Sequence, residues 1–220
     1  MATPLKIITS TTRPGRSVDI VLPWLANRFE ADERFDTEVV DLREWKLPLF
    51  QETRETIGDF SDPTYSDPIV RAWNRTMSEG HAFVFVTAEY NHSVPGELKN
   101  ALDNVFVSQA FRNKPMAFVG YSGGPIAGAR AVEHLAHIVV EAEMVPLRNT
   151  VLIGGVGQAF DAEDRPVDPT TDAALSVLLG DLAWWSEMLS AARAAGELPP
   201  GRVRLTQELK ALRAAKAGPA

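Results

Sequence analysis

Five times along this chain a short run of β-branched, aromatic and other apolar residues gives way to a segment whose apolar residues recur at helical spacing. That alternation confines the fold to a parallel sheet covered by helices on both faces. Parallel neighbours cannot be joined by a tight turn, so each link must cross the sheet, and a helix is the usual crossing. The strand runs are 5–9, 37–42, 82–87, 116–121 and 150–153. Behind the first, Ser17 offers an N-cap and Val18, Val21, Leu22, Leu25 and Phe29 form one stripe, with Pro23 expected to kink the helix. The next helix opens on Asp67-Pro68, a cap followed by an N1 proline, and turns Ile69, Val70, Trp73 and Met77 to the core. Leu98, Ala101, Leu102 and Val105, then Val132, Leu135, Ala136 and Val139, then Leu175, Leu178, Leu179, Leu182, Trp185 and Leu189 mark the remaining three. Between Gln51 and Asp67 no period holds, and that segment reads as a long loop of the lid or interface-arm kind.

At 220 residues the chain is long enough for one sizeable core, read here as a domain over 1–195 with a basic tail over 196–220, docked or disordered. In the tail Arg202, Arg204, Lys210, Arg213 and Lys216 outnumber the acids. No apolar run approaches the ~20 residues of a membrane helix, and Met1 to Leu5 lead straight into the first strand, so the expectation is a cytoplasmic protein without a membrane partner. A net charge of -7 argues against nucleic acid as a partner. The absence of cysteine excludes disulfides, thiolate metal ligands and cysteine nucleophiles, so redox chemistry would need a borrowed cofactor.

Ligands of open α/β sheets bind at the carboxyl ends of the strands, which here means three loops. The first, from Ser10 to Ser17, combines hydroxyls, two guanidiniums and a helix N-terminus. These are the donors a phosphate dianion needs, and they are equally those of an ordinary Ser-capped helix start. The third-strand loop runs from Ala88 through Glu89, Tyr90 and Asn91 to Gly96. The fourth opens on Ser122, Gly123 and Gly124, which suit close approach of a ligand or simply a turn. A Gly-x-Gly-x-x-Gly dinucleotide fingerprint and a Gly-x-x-x-x-Gly-Lys-Ser/Thr loop are both absent. His134 and His137 lie one helical turn apart, but no nearby carboxylate pair completes a metal site, and a surface or helix-packing role is expected.

Three stretches in order, Arg13-Pro14-Gly15-Arg16-Ser17, Glu89-Tyr90-Asn91-His92-Ser93 with Pro95-Gly96 and Leu98 to Asp103, and Gly128 to Leu135, resemble the NAD(P)H-dependent FMN reductases. The resemblance implies a flavodoxin-like three-layer sandwich with a five-stranded parallel sheet in the order 2-1-3-4-5. It further implies FMN as cofactor, its phosphate on Ser10, Thr11, Arg13, Arg16 and Ser17, its ring against Ala88, Glu89, Tyr90 and Asn91, and Ser122, Gly123 and Gly124 as the far wall. Ala88 stands where the family commonly has proline. No catalytic side chain is implied, because hydride passes from NADPH or NADH to the flavin and on to a small-molecule acceptor such as a quinone, a flavin or an azo compound. A homodimer or homotetramer is the implied assembly. A flavodoxin-type electron carrier and a non-catalytic flavin-binding regulatory or scaffold protein are the alternatives.

Overall fold

The sheet is organised around strand β1 (Thr3–Thr9), which pairs in parallel with β2 (Phe35–Asp41) on one side and β3 (Ala82–Ala88) on the other. In this computed structural model, which describes residues 1–59, 63–105 and 107–217, β4 (Pro115–Tyr121) follows β3. The outer position beyond it is filled by two short strands, β5 (Val145–Pro146) and β6 (Val151–Ile153). The order β2-β1-β3-β4-β5, with β6 also on β4, is the expected flavodoxin-like order with its fifth strand in two pieces. Val145 pairs with Pro115 but Val151 pairs with Val119, so two extra residues are looped out between the pieces. The split places Pro146, which has no N–H to donate, at the end of the first piece.

Side chains alternate across the sheet with the period of two that strand geometry requires. Leu5, Ile7, Val84, Val86, Val119 and Tyr121 face the helices α1 (Val18–Glu30) and α6 (Pro169–Gly196). Ile8, Phe83, Phe85, Met116 and Phe118 face α3 (Pro68–Glu79), α4 (Gly96–Asp103) and α5 (Ala129–Glu141). Because both faces are covered, β3 and β4 are buried at every position, which is why they read as continuous apolar runs. The helix α1 continues through Pro23. As expected, Asp67 caps α3, its carboxylate accepting from Ile69 N–H at 2.8 Å, and Trp73 Nε1 donates to the Ala101 carbonyl at 2.8 Å.

Two sequence expectations need correction. The second strand ends at Asp41 and not at Leu42, because the Asp41 carboxylate accepts from Arg43 N–H at 2.9 Å and starts a 3-10 turn over Leu42–Glu44. The Gln51–Asp67 segment, whose residues 60–62 lie outside the described residues, is not an open loop. It holds the short helix α2 (Arg54–Ile57), capped by Thr53, and buries Ile57 and Tyr65 in the core beneath α3. The chain divides into the units Met1–Ser190 and Ala191–Ala220. The second contains α7 (Gly201–Ala217), a 17-residue helix in the stretch read as a tail. Among the described residues no helix is long and apolar enough to cross a membrane.

Gly128, which opens α5, has φ +83°, and a Cβ there would stand 2.6 Å from the Tyr121 backbone nitrogen. Gly128→Ala should therefore lower unfolding stability in urea by at least the ~1–3 kcal/mol of a left-handed non-glycine residue. Gly180 lies inside α6 with nothing within 4 Å of an added Cβ, and Gly180→Ala should raise stability by ~0.5–1 kcal/mol.

Candidate functional site

The loops after β1, β3 and β4 meet at the carboxyl edge of the sheet around a cavity of about 130 Å³. Its wall contains Thr11, Arg13, Arg16 and Ser17 from the first loop, Ala88, Glu89 and Tyr90 from the second, and Ser122 and Gly123 from the third. Nine of the twelve residues expected at a ligand thus share one cavity. The other three flank it. Ser10 is fully buried behind the wall, where its hydroxyl accepts from Ala88 N–H at 3.1 Å and ties the ends of β1 and β3 together. Asn91 belongs to the two-residue turn between Tyr90 and Ser93, and the Gly124 carbonyl accepts from Gly155 N–H.

The first loop is shaped by Arg16, whose side chain is 1% exposed. Its guanidinium donates to both Asp41 oxygens at 2.5 Å, to Asp19 at 2.9 Å and to the Thr11 carbonyl at 2.6 Å. These bonds hold the loop against the end of β2, and Arg16, expected at a phosphate, also stands in the cavity wall. The pairing raises the Arg16 pKa further. Burial would raise that of Asp41, but hydrogen bonds from Arg16, the Arg43 N–H and the Thr9 hydroxyl outweigh it and hold the carboxyl well below the usual carboxylate range.

The loop so folded leaves donors at the start of α1. Ser17 occupies the N-cap position without making a side-chain cap bond. Among the described residues no acceptor takes up the N–H groups of Thr12, Arg13 or Ser17. The helix dipole adds positive potential at the same place. Arg13 is exposed; its Nε donates to the Tyr90 hydroxyl at 2.9 Å, bridging the first and second loops.

Glu89 turns its carboxylate to α5, accepting from Arg130 Nε at 2.6 Å and from Arg130 N–H at 3.3 Å. It thereby substitutes for the side-chain cap that Gly128 cannot supply. Ser93 Oγ and His134 Nδ1 make a second tie between this loop and α5 at 3.0 Å. Among the described residues the N–H groups of Glu89, Asn91 and Gly123 have no acceptor. Tyr121 and Val156 also line the cavity and were not anticipated. Tyr121 closes β4 with its hydroxyl 3.3 Å from that of Thr11, and burial, with smaller neighbouring effects, pushes its pKa up to about 12. The signal for Tyr121 was its place as the last residue of a strand whose alternation turns it to the α1 side.

Removing one member of a buried ion pair leaves the other uncompensated, at a cost of ~3–5 kcal/mol. Arg16→Ala should lose about that much in denaturant unfolding, whereas Arg13→Ala should change stability by less than about 0.5 kcal/mol. The Asp41 pKa is depressed, so its contribution is complete above the unfolded value of about 3.9 and is lost only as pH falls through the lower folded value. The stability gap between the wild type and Asp41→Asn should accordingly stay constant from pH 7 to about pH 5 and narrow only in stronger acid.

Sequence comparison accords with the geometry. The NADPH-dependent FMN reductase family matches residues 5–158, a span that contains all three loops. An NAD(P)H-dependent FMN reductase of Schizosaccharomyces pombe is 30% identical over 132 residues, 60% of this chain and 63% of that protein. A quinone reductase of Escherichia coli is 34% identical over 127 residues, 54% of this chain and 64% of its own length. The chain thus spans less than two thirds of either relative. In fold it is similar to FerB of Paracoccus denitrificans, a flavoenzyme NAD(P)H:(acceptor) oxidoreductase, at a TM-score of 0.64 and 20% identity over 85% of this chain and 98% of that one. With its sheet order, its three converging loops and a match across most of its length, the chain belongs to the NADPH-dependent FMN reductase family.

Proposed function

We propose that this protein is an NAD(P)H-dependent FMN oxidoreductase that reduces a small-molecule acceptor of the quinone or azo class. The observation that carries the reading is the convergence of three loops whose backbone donors are unspent, at the N-terminus of α1 and along Glu89, Asn91 and Gly123. The cavity suits FMN by its chemistry. Ser17, the free N–H groups of the first loop and Arg13 would supply donors and positive charge for a phosphate, and N–H groups of the second and third loops would stabilise a ring edge that gains negative charge on reduction.

When bound, FMN supplies the chemistry of accepting hydride from reduced nicotinamide and passing electrons on. The chain's residues bind and orient. Arg13, which donates to the Tyr90 hydroxyl, would hold a phosphate oxygen; Arg16 holds the loop in shape, and the buried Tyr121 keeps a neutral hydroxyl in the cavity wall at physiological pH. Ala88 would border the ring and Ser122 to Gly124 would form the far wall, where the Ser122 hydroxyl donates to the Gly124 carbonyl at 2.9 Å. The quinone class follows from the quinone reductase relative. The reading includes self-association and a cytoplasmic setting.

Anaerobic NADPH added to the FMN-loaded protein should bleach its yellow colour within one turnover, and a quinone should restore it; persistent colour would leave a carrier or a flavin-binding scaffold in its place. FMN should bind more tightly than FAD in direct titration. Arg13→Ala and Ser17→Ala each remove a bond to a charged group, ~1.5–3 kcal/mol, and should weaken FMN binding by roughly ten- to a hundredfold. Riboflavin, lacking the phosphate, should lose much less; equal losses would move the phosphate elsewhere.

A further inference from the structure

A second cavity, of about 280 Å³, adjoins the first. Its wall contains Thr12, then Arg43, Trp45, Lys46 and Leu47 from the stretch after β2, and Glu97 from the first turn of α4. Thr11 and Arg13 line the first cavity while Thr12, between them, lines this one. At their common rim the two are therefore one residue apart, ~3.8 Å from Cα to Cα. The Thr12 hydroxyl donates to Glu97 Oε1 at 3.2 Å, so the first loop and the helix that follows the second loop meet at this boundary.

The cations of this cavity have donors to spare. Lys46 is exposed, and its ammonium has no partner among the described residues. Arg43, its side chain 45% exposed, reaches Asp19 and Asp41 through one terminal nitrogen only, at 3.2 and 3.4 Å. Both carboxylates are held more closely by Arg16, at 2.9 and 2.5 Å. The Nε and the other terminal nitrogen of Arg43 are left without an acceptor among the described residues. An ammonium and a guanidinium with unspent donors are what a phosphate monoester recruits. Glu97 opposes them in charge, but it stands on α4, where it accepts from Thr12. Between the cations in sequence, Trp45 is half-buried in a T-shaped contact with the buried Trp73, the ring centroids 5.1 Å apart. A fixed indole of this kind offers a face on which a purine stacks.

We infer that this second cavity seats the 2′-phosphoadenosine end of NADPH, with Lys46 and Arg43 on the 2′-phosphate and Trp45 against the purine. A dinucleotide has two nucleoside halves joined by a pyrophosphate. When the nicotinamide half lies at the flavin, the other half needs a neighbouring surface, and this cavity shares its rim with the flavin site. The chain then prefers NADPH to NADH, because the 2′-hydroxyl of NADH carries no charge for Lys46 and Arg43 to neutralise. The inference rests on the reductase reading proposed above and adds to it the choice of reductant.

Adenosine 2′,5′-bisphosphate cannot reduce a flavin and so reports binding alone. Titrated calorimetrically into oxidised, FMN-loaded protein it should bind, and adenosine 5′-monophosphate should bind roughly tenfold more weakly or worse. Lys46→Ala should weaken the bisphosphate by roughly ten- to a hundredfold with little change for the monophosphate, and Lys46→Arg should restore it. In anaerobic reduction kinetics, Lys46→Ala should raise the half-saturating NADPH concentration by the same factor and leave that of NADH within about twofold. Lys46→Glu should make NADH the better reductant. Equal affinity for the two adenosine phosphates, no binding of either, or a bisphosphate affinity indifferent to Lys46→Ala would overturn the subsite, and bleaching by NADPH would still support the reductase. Failure of NADPH and NADH alike to bleach the flavin would end the reductase reading and this inference with it.

Discussion

The pairing of Arg16 with Asp41 is the contact on which the candidate site depends. A guanidinium 1% exposed is tolerable inside a protein only when its donors are taken, and Asp41, Asp19 and the Thr11 carbonyl take them. The pair joins the end of β2 to the turn before α1 and pulls the loop's side-chain weight behind the sheet edge. Its N–H groups and Ser17 then remain at the front. The same carboxylate accepts from the Thr9 hydroxyl at 3.0 Å and from Arg43 N–H, so one residue ends β2, anchors β1 and shapes the loop.

The other two loops are held by the same kind of device. Glu89 and Ser93 are bound to α5, Ser10 to Ala88, and Thr11 to Tyr121, so each loop is tied to an element that the sheet already positions. The charged or hydroxylic side chains spend themselves on structure, and the backbone donors stay unspent. A site made this way orders little on binding, which lowers the entropic cost of holding a cofactor. It also explains why Glu89 and Arg16, the most conspicuous charges of their loops, act through position.

Past residue 158, where the family match ends, the chain continues into α6 and α7. The core ends with the inner face of α6, where Leu175, Leu178, Leu179 and Leu182 are buried, while Val177, Trp184 and Met188 on its other side are exposed.

Alternation of apolar runs with helical stripes was enough, from the sequence, to specify a parallel sheet, and the motif resemblance supplied its order and the three loops that meet at its edge. Local periodicity survives into the fold because a parallel strand must be apolar on both faces and a covering helix on one. The break between β5 and β6, the helix inside 51–59 and the cavity residues Tyr121 and Val156 were not legible. They depend on register, on a capping box and on which elements become neighbours. What the tertiary structure alone decided is the division of labour: Arg16 turns to a carboxylate 25 positions away and Glu89 to a guanidinium 41 positions away, while Arg13 stays at the mouth. The sequence determined which residue types stand in each loop, but a charged side chain's role is set by the partner it meets in space, and that partner exists only once the strands have paired.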